Sequence, residues 1–309
     1  SCLTVEMERR WGGVLRVPLG NSHYRMAVSL AVLPNSLPVP ITNAIFFHGD
    51  RANSTRNPVI ERLSDLPTIA DLLVSKFGDG TNAWVIEAST FNGPFALYCD
   101  FVPSLNRWGE PKSYQPNGFP AASATLSLLS ACLRQVICSA FIGRNDFSSS
   151  SAIPPRTVIL GFSKGGTVIN QLVAELASSD PCCNAPHEVK MLPETRHGLL
   201  NSISEIHYVD VGLNSSNAYV TDQKVIDGIT KRIVRSGNEI RFAFHGTPRQ
   251  WSDPRRMWIR LEKDRLVSLL EAASAKCNGK LKVLERFYFA DRAPDLQMHF
   301  EIIGCLDVI

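Results

Sequence analysis

Five consecutive residues, Gly161-Phe162-Ser163-Lys164-Gly165, set a serine between two glycines at the spacing Gly-x-Ser-x-Gly. The spacing suits a serine that attacks from a sharp, strained turn, a nucleophile elbow in which larger flanking side chains would collide. Such a turn lifts the hydroxyl above the edge of a sheet. It also aims the following amide, that of Lys164, at the oxygen of a bound carbonyl, where the dipole of the next helix favours a developing negative charge. The Lys164 side chain is expected at solvent or at the rim of a pocket. Five residues of this pattern arise often by chance, so the weight comes from context. Thr157 to Leu160 reads as an apolar strand and Thr167 to Leu176 as a helix, the strand-turn-helix setting the chemistry needs.

A serine hydroxyl needs a base, and the base needs an acid to orient it. In chain order after the serine, the acid comes first and the histidine last. His299 follows the last apolar run at about the distance expected of a base loop. His245, directly after the run Ile240 to Phe244, fits a histidine that shapes the acid loop. Asp253, in the loop that begins at His245, is favoured as the acid, and Asp210, at the end of the run Ile206 to Val211, is the alternative. Asp264 and Asp295 read as surface residues. A second oxyanion donor is expected after Phe46-Phe47, from the amides of Gly49 or Asp50. A carboxylate at Asp50 disfavours an oxyanion unless it is turned away or paired.

These residues need a scaffold that brings distant strand ends together. Short apolar runs at 24–33, 44–47, 83–88, 157–160, 206–211, 240–244 and 281–289 alternate with helical periodicities at 57–77, 121–141, 165–178, 222–235 and 255–276. Strands apolar on both faces and separated by helices predict a mostly parallel central sheet with helices on both faces. The expectation is one α/β domain over residues 1–309. Irregular stretches at 90–120, 144–155 and 179–203 interrupt it. The serine run in the second is expected to be a surface insertion. The first and third are expected to border a pocket, with Phe91, Phe95, Tyr98 and Trp108 as lining or core.

The bulk numbers exclude more than they assign. At 44% hydrophobic and 20% charged residues the chain reads as an ordinary globular protein. A formal net charge of +3 gives no reason to expect nucleic acid. The basic clusters Lys231-Arg232…Arg235 and Arg255-Arg256 sit at helical spacing among apolar residues and read as solvated helix faces. No apolar run approaches the roughly 20 residues of a membrane span, and no apolar signal-peptide core precedes residue 30. The eight cysteines include no Cys-x-x-Cys pair and read as free thiols, with Cys132 and Cys138 in a buried helix. His187, His197 and His207 lack the spacing of a metal site. Neither phosphate-loop nor dinucleotide-binding glycine patterns occur, and no cofactor is expected.

Taken together, Phe46-Phe47-His48-Gly49-Asp50, Leu160 to Gly165, Asn217-Ala218-Tyr219-Val220-Thr221, and His245 to Trp258, with His299-Phe300 as a weaker fifth segment, carry a resemblance. The chain resembles an uncharacterised α/β-hydrolase-like family of animals and plants with mitochondria-associated members. The resemblance implies the α/β-hydrolase fold and a pairing of Ser163 with His299, and both Asp210 and Asp253 fall within its recurring segments. It also implies a mitochondrial or other organellar location, with the cytoplasm as the alternative. The expected activity is hydrolysis of an ester or thioester of a small-molecule acyl substrate by a Ser-His-Asp triad. The alternative is a catalytically silent protein of the same fold that binds a ligand or a partner.

Overall fold

A computed structural model describes residues 9–34, 36–139, 153–181 and 188–308. In chain order the elements are β1 (Arg9–Leu19), β2 (Ser22–Val32), β3 (Thr42–Phe47), α1 (Pro58–Ser64), α2 (Leu66–Phe77), β4 (Thr81–Ile86), β5 (Thr90–Asn92), β6 (Phe95–Leu97) and α3 (Pro120–Ser139). They continue with β7 (Arg156–Phe162), α4 (Gly166–Ser178), α5 (Arg196–Ser202), β8 (Ile203–Val209), α6 (Gln223–Ser236), β9 (Ile240–Gly246), α7 (Pro248–Trp251), α8 (Met257–Ser274), β10 (Leu281–Phe287) and α9 (Leu296–Cys305).

Eight strands form one sheet in the order β1-β2-β4-β3-β7-β8-β9-β10, and β5 pairs with β6 as a separate small hairpin. The pairs β1/β2 and β2/β4 are antiparallel and the rest of the large sheet is parallel. This is the α/β-hydrolase fold. β3 shows why the inner strands are apolar throughout: successive side chains point to opposite faces. Ile45 and Phe47 join a cluster capped by α3, α4, α6 and α8, while Ala44 and Phe46 join a second cluster under α1, α2 and α9. Burying a phenylalanine of this kind is worth about 1.5–3 kcal/mol, so both faces of β3 hold their helices.

The sequence pattern misses several local features. β1 lacks a clear apolar signal because it is a partly exposed edge strand, antiparallel to β2 in register from Arg9 opposite Val32 to Leu19 opposite Ser22. The periodicity over 57–77 covers two helices, divided where Asp65 closes α1 and its carboxylate accepts the Thr68 amide of α2. A proline in the first turn of α2 is compatible with that start. α3 has the length and apolarity of a bilayer span. Eight of its residues, from Ala121 to Val136, are nevertheless buried, and it packs beside β1, α4 and α5.

Two readings of the basic and cysteine residues change. Arg232 is buried, donating to the carbonyls of Leu176 and Ser179 and to Asn201, and it belongs to the packing of α6 rather than to a solvated face. Cys138 is exposed while Cys132 is buried; with Cys99, Cys277 and Cys305 they are free thiols. The serine run expected as an insertion, together with Cys182, Cys183 and His187, lies outside the described residues.

Candidate active site

β7 ends at Phe162, and the chain turns through Ser163 to Gly165 before α4 begins. Ser163 has φ +54°, left-handed backbone that a non-glycine residue enters at a cost. The glycines around it are required by close approach. A Cβ on Gly161 would lie 2.3 Å from Ile169 Cγ1, one on Gly165 would lie 2.0 Å from the Phe47 carbonyl oxygen, and one on Gly166 would lie 2.4 Å from Val211 Cγ1. Strand, turn and helix therefore press together with no room for side chains. α4 begins here, where its first amides lack partners within the helix.

His299 shares a cleft with Ser163. It lies on α9, where a loop is expected, one turn in from Asp295, whose carboxylate caps the helix by accepting the Met298 amide. The imidazole packs on Phe162, ring centroids 4.6 Å apart. Its Nδ1 meets Asp210 Oδ2 at 2.6 Å. With the proton on Nδ1 shared with a carboxylate, Nε2 is left as an acceptor.

The carboxylate that meets His299 is thus Asp210, and Asp253 is displaced from the role favoured on sequence. Asp253 closes a local turn instead, accepting from the Arg255 amide and from Arg256 Nε at 2.9 Å each. Asp210 is fully buried. Its Oδ1 accepts the Thr247 amide at 2.8 Å, and the Thr247 hydroxyl lies 3.1 Å from Oδ1 and 3.0 Å from Oδ2. Thr247 is a residue the sequence argument overlooked. It follows β9 directly and is buried, so the end of β9 holds the carboxylate supplied by the end of β8.

His245 is likewise held away from the cleft. Its Nε2 lies 2.9 Å from His207 Nδ1 and its Nδ1 2.8 Å from the Tyr288 hydroxyl, in a buried stack with ring centroids 5.2 Å apart. Burial lowers the pKa of His245 to about 3 and drives His207 well below the usual imidazole range. Both rings are neutral at ordinary pH.

On the opposite wall, Gly49 and Asp50 follow β3. A Cβ on Gly49 would sit 2.6 Å from Ser163 Cβ, so glycine there is a condition for the serine's position. Its amide, however, donates to His48 Nδ1 at 2.7 Å, while His48 Nε2 donates to the Ser64 carbonyl at 2.8 Å. Of the two residues expected to supply an amide, Gly49 is therefore engaged. Asp50 Oδ1 turns to the Ala96 amide at 2.7 Å and to Lys164 Nζ at 3.7 Å. Lys164 is buried rather than at solvent, lies over the Phe95 ring, and donates to the Trp108 carbonyl at 2.7 Å. Burial pushes the Asp50 carboxyl pKa up and the Lys164 ammonium pKa down, and the charge of each partner opposes the shift.

Of the irregular stretches, 90–120 borders the cleft through Phe95 and Glu110. Tyr98 is core, its hydroxyl donating to the His48 and Ile86 carbonyls, and Phe91 lies under the Arg51 guanidinium. No described residue of 179–203 lines the cleft. Among the described residues no group of His, Cys, Asp and Glu is arranged to hold a metal.

The family model described as C2orf69 matches residues 118–276. The zebrafish (Danio rerio) protein named mitochondrial protein C2orf69 homolog is 26% identical over 272 residues, covering 84% of this chain and 72% of its own. The human (Homo sapiens) mitochondrial protein C2orf69 is 25% identical, covering 86% and 74%. Those names support a mitochondrial location. Among solved structures, the chain is similar to BES protein from Bacillus cereus, with a TM-score of 0.46 and 12% identity over 98% of this chain and 97% of that one. With the family model spanning more than half of its residues, this chain belongs to the C2orf69 family.

Proposed function

We propose that the protein is a serine hydrolase of ester or thioester substrates, with Ser163 as nucleophile, His299 as base and Asp210 as acid. The observation that carries this reading is the 2.6 Å contact of His299 Nδ1 with buried Asp210 in the cleft that also holds Ser163. In this reading Ser163 is the residue of a nucleophile elbow. Its Oγ attacks the acyl carbon as His299 Nε2 takes the hydroxyl proton. The carbonyl π electrons move to oxygen, where the amides of Lys164 and Asp50 receive the charge. Collapse of the tetrahedral adduct breaks the bond to the alcohol or thiol, which leaves with the proton from His299. Water then repeats the sequence on the acyl-serine and frees the acid. Asp210 keeps the proton on Nδ1 and steadies the imidazolium. The pairing of Asp50 with Lys164 meets the objection that a carboxylate near an oxyanion would oppose the reaction.

The test is labelling of the purified protein with a fluorophosphonate, with the adduct located by mass spectrometry. Labelling of Ser163 that vanishes in Ser163→Ala and weakens in His299→Ala supports the reading. A folded protein that takes no label and turns over no member of a general ester panel favours a silent binding scaffold.

A further inference from the structure

The charged side chains around the cleft are nearly all engaged. Asp50 pairs with Lys164, Arg51 with Glu87, and Arg256 with Asp253. Glu110 accepts the Asn214 amide and the Ser215 hydroxyl on its two oxygens. Arg249 differs. It is half-buried and lines the cleft, and its carbonyl accepts from Arg256, yet its side chain has no hydrogen bond, ion pair or ring contact among the described residues. The carboxylates whose fields reach it are Asp210, Asp253 and Asp295. Each is bonded elsewhere, to His299 and Thr247, to Arg256, and to the Met298 amide. A guanidinium does not shed its proton in such a place. It remains a partly desolvated cation facing the cleft, with five N–H donors to satisfy.

The next residue supplies an independent sign. Gln250 is 4% exposed and lines the same cleft, and its Oε1 is buried without a hydrogen-bond partner. Gly212, across from it, makes room: a Cβ there would lie 2.2 Å from that oxygen. A buried acceptor without a partner forfeits the hydrogen bond that water would give it, so it favours a ligand that supplies a donor. Both residues lie on α7, directly after the Thr247 that holds Asp210, so their place relative to His299 is set by the same segment.

We propose that the cleft takes an acyl substrate with an anionic end, a carboxylate or phosphate that pairs with Arg249, and an N–H or O–H donor that satisfies Gln250 Oε1. The word substrate rests on the serine-hydrolase reading; the anion seat does not. Guanidinium matches both anions in a two-point fork, which explains a free arginine where a neutral substrate has no use for one. A neutral acyl chain would leave both side chains unsatisfied.

The test measures binding to full-length protein carrying Ser163→Ala, so that it is read without turnover. Ligand-observed NMR compares monomethyl succinate, which bears a carboxylate, with dimethyl succinate, which does not. The expected result is tighter binding of the monoester by about tenfold or more, with the preference lost in Arg249→Gln and partly kept in Arg249→Lys. Gln250→Leu leaves the preference for the monoester in place, since that ligand carries no donor for Gln250 Oε1. Thermal melts establish that each variant is folded. Displacement of the monoester by inorganic phosphate assigns phosphate to the same seat, and absence of displacement narrows the class to carboxylates. Equal binding of the two esters, no binding of the monoester, or unchanged preference in folded Arg249→Gln overturns the proposal. Failure of Ser163 to label, with the anion preference intact, would sink the hydrolase reading and leave the anion seat standing.

Discussion

Ser163 and Asp210 stand at the C-terminal ends of the neighbouring parallel strands β7 and β8, and both are held in left-handed backbone, with φ of +54° and +46°. Such conformations cost of order 1–3 kcal/mol for a non-glycine residue and persist where the surroundings over-determine them. At Ser163 the surroundings are the glycines packed against β3 and α4. At Asp210 they are Thr247 and the backbone, whose Asp210 amide donates to the His245 carbonyl at 2.7 Å.

The two aspartates part company under mutation. Asp210→Asn removes the carboxylate that sets the His299 tautomer, and turnover falls about 10³–10⁴-fold. Asp253→Asn touches a half-buried local turn with Arg256, away from the His299 contact, and leaves turnover within about threefold. On the proposed hydrolase reading, steady-state hydrolysis of an ester found active in the general panel reads both, and fluorophosphonate labelling rates serve as the second measure. Equal losses in the two variants would contradict the assignment of the acid.

Gly49→Ala places a methyl 2.6 Å from Ser163 Cβ and 2.8 Å from the Phe162 carbonyl oxygen. Relief requires backbone movement, so stability falls by about 1–3 kcal/mol. The serine's labelling rate falls more than tenfold because a small misplacement of a nucleophile is costly. Urea midpoints and labelling kinetics separate the two effects. An unchanged labelling rate would show that the serine does not depend on this contact.

Lys164→Met removes the counter-charge of Asp50, a partly buried carboxyl beside the amides assigned to the oxyanion. Labelling slows by about tenfold, the scale on which an uncompensated nearby charge acts. Adding Asp50→Asn restores most of the rate, since the pair is then neutral on both sides. A double-mutant cycle on labelling rates measures the coupling, and simple additivity speaks against the electrostatic account.

His245, with its pKa lowered to about 3, and His207, also lowered well below its usual value by burial, give stability a pH dependence of definite sign. The unfolded chain takes up these protons near pH 6.5 and the folded protein does not. Their contribution is therefore complete above about pH 6.5 and is lost as pH falls toward the folded values, at up to about 1.4 kcal/mol per pH unit for each histidine. Glu175, raised to about 7 by burial, acts in the opposite sense: its folded form holds a proton that the unfolded chain releases, so stability falls as pH rises through that window. Chemical denaturation between pH 5 and 8, comparing wild type with His245→Gln, isolates the imidazole. The variant's curve is expected to be flatter below about pH 6.5, and parallel curves would refute the neutral buried pair.

Much of this is legible in the sequence itself. The turn around Ser163 is local, since a strand, a serine between glycines and a helix lie within about twenty residues, and glycine has no substitute where Phe47 and Ile169 approach so closely. The alternation of apolar strands and amphipathic helices foretold a parallel sheet covered on both faces, because a strand apolar on both sides must be buried on both. Tertiary structure alone decided which carboxylate reaches His299. Asp210 and Asp253 both follow strands that end at the same edge, and nothing in their spacing shows that Thr247 grips one while Arg256 grips the other. The same holds for Lys164, turned inward to Asp50 by a loop more than fifty residues earlier in the chain, and for Arg249, left without a counter-charge in the cleft. Side-chain pairing across the sheet edge depends on where loops of distant sequence converge, and periodicity carries no record of that convergence.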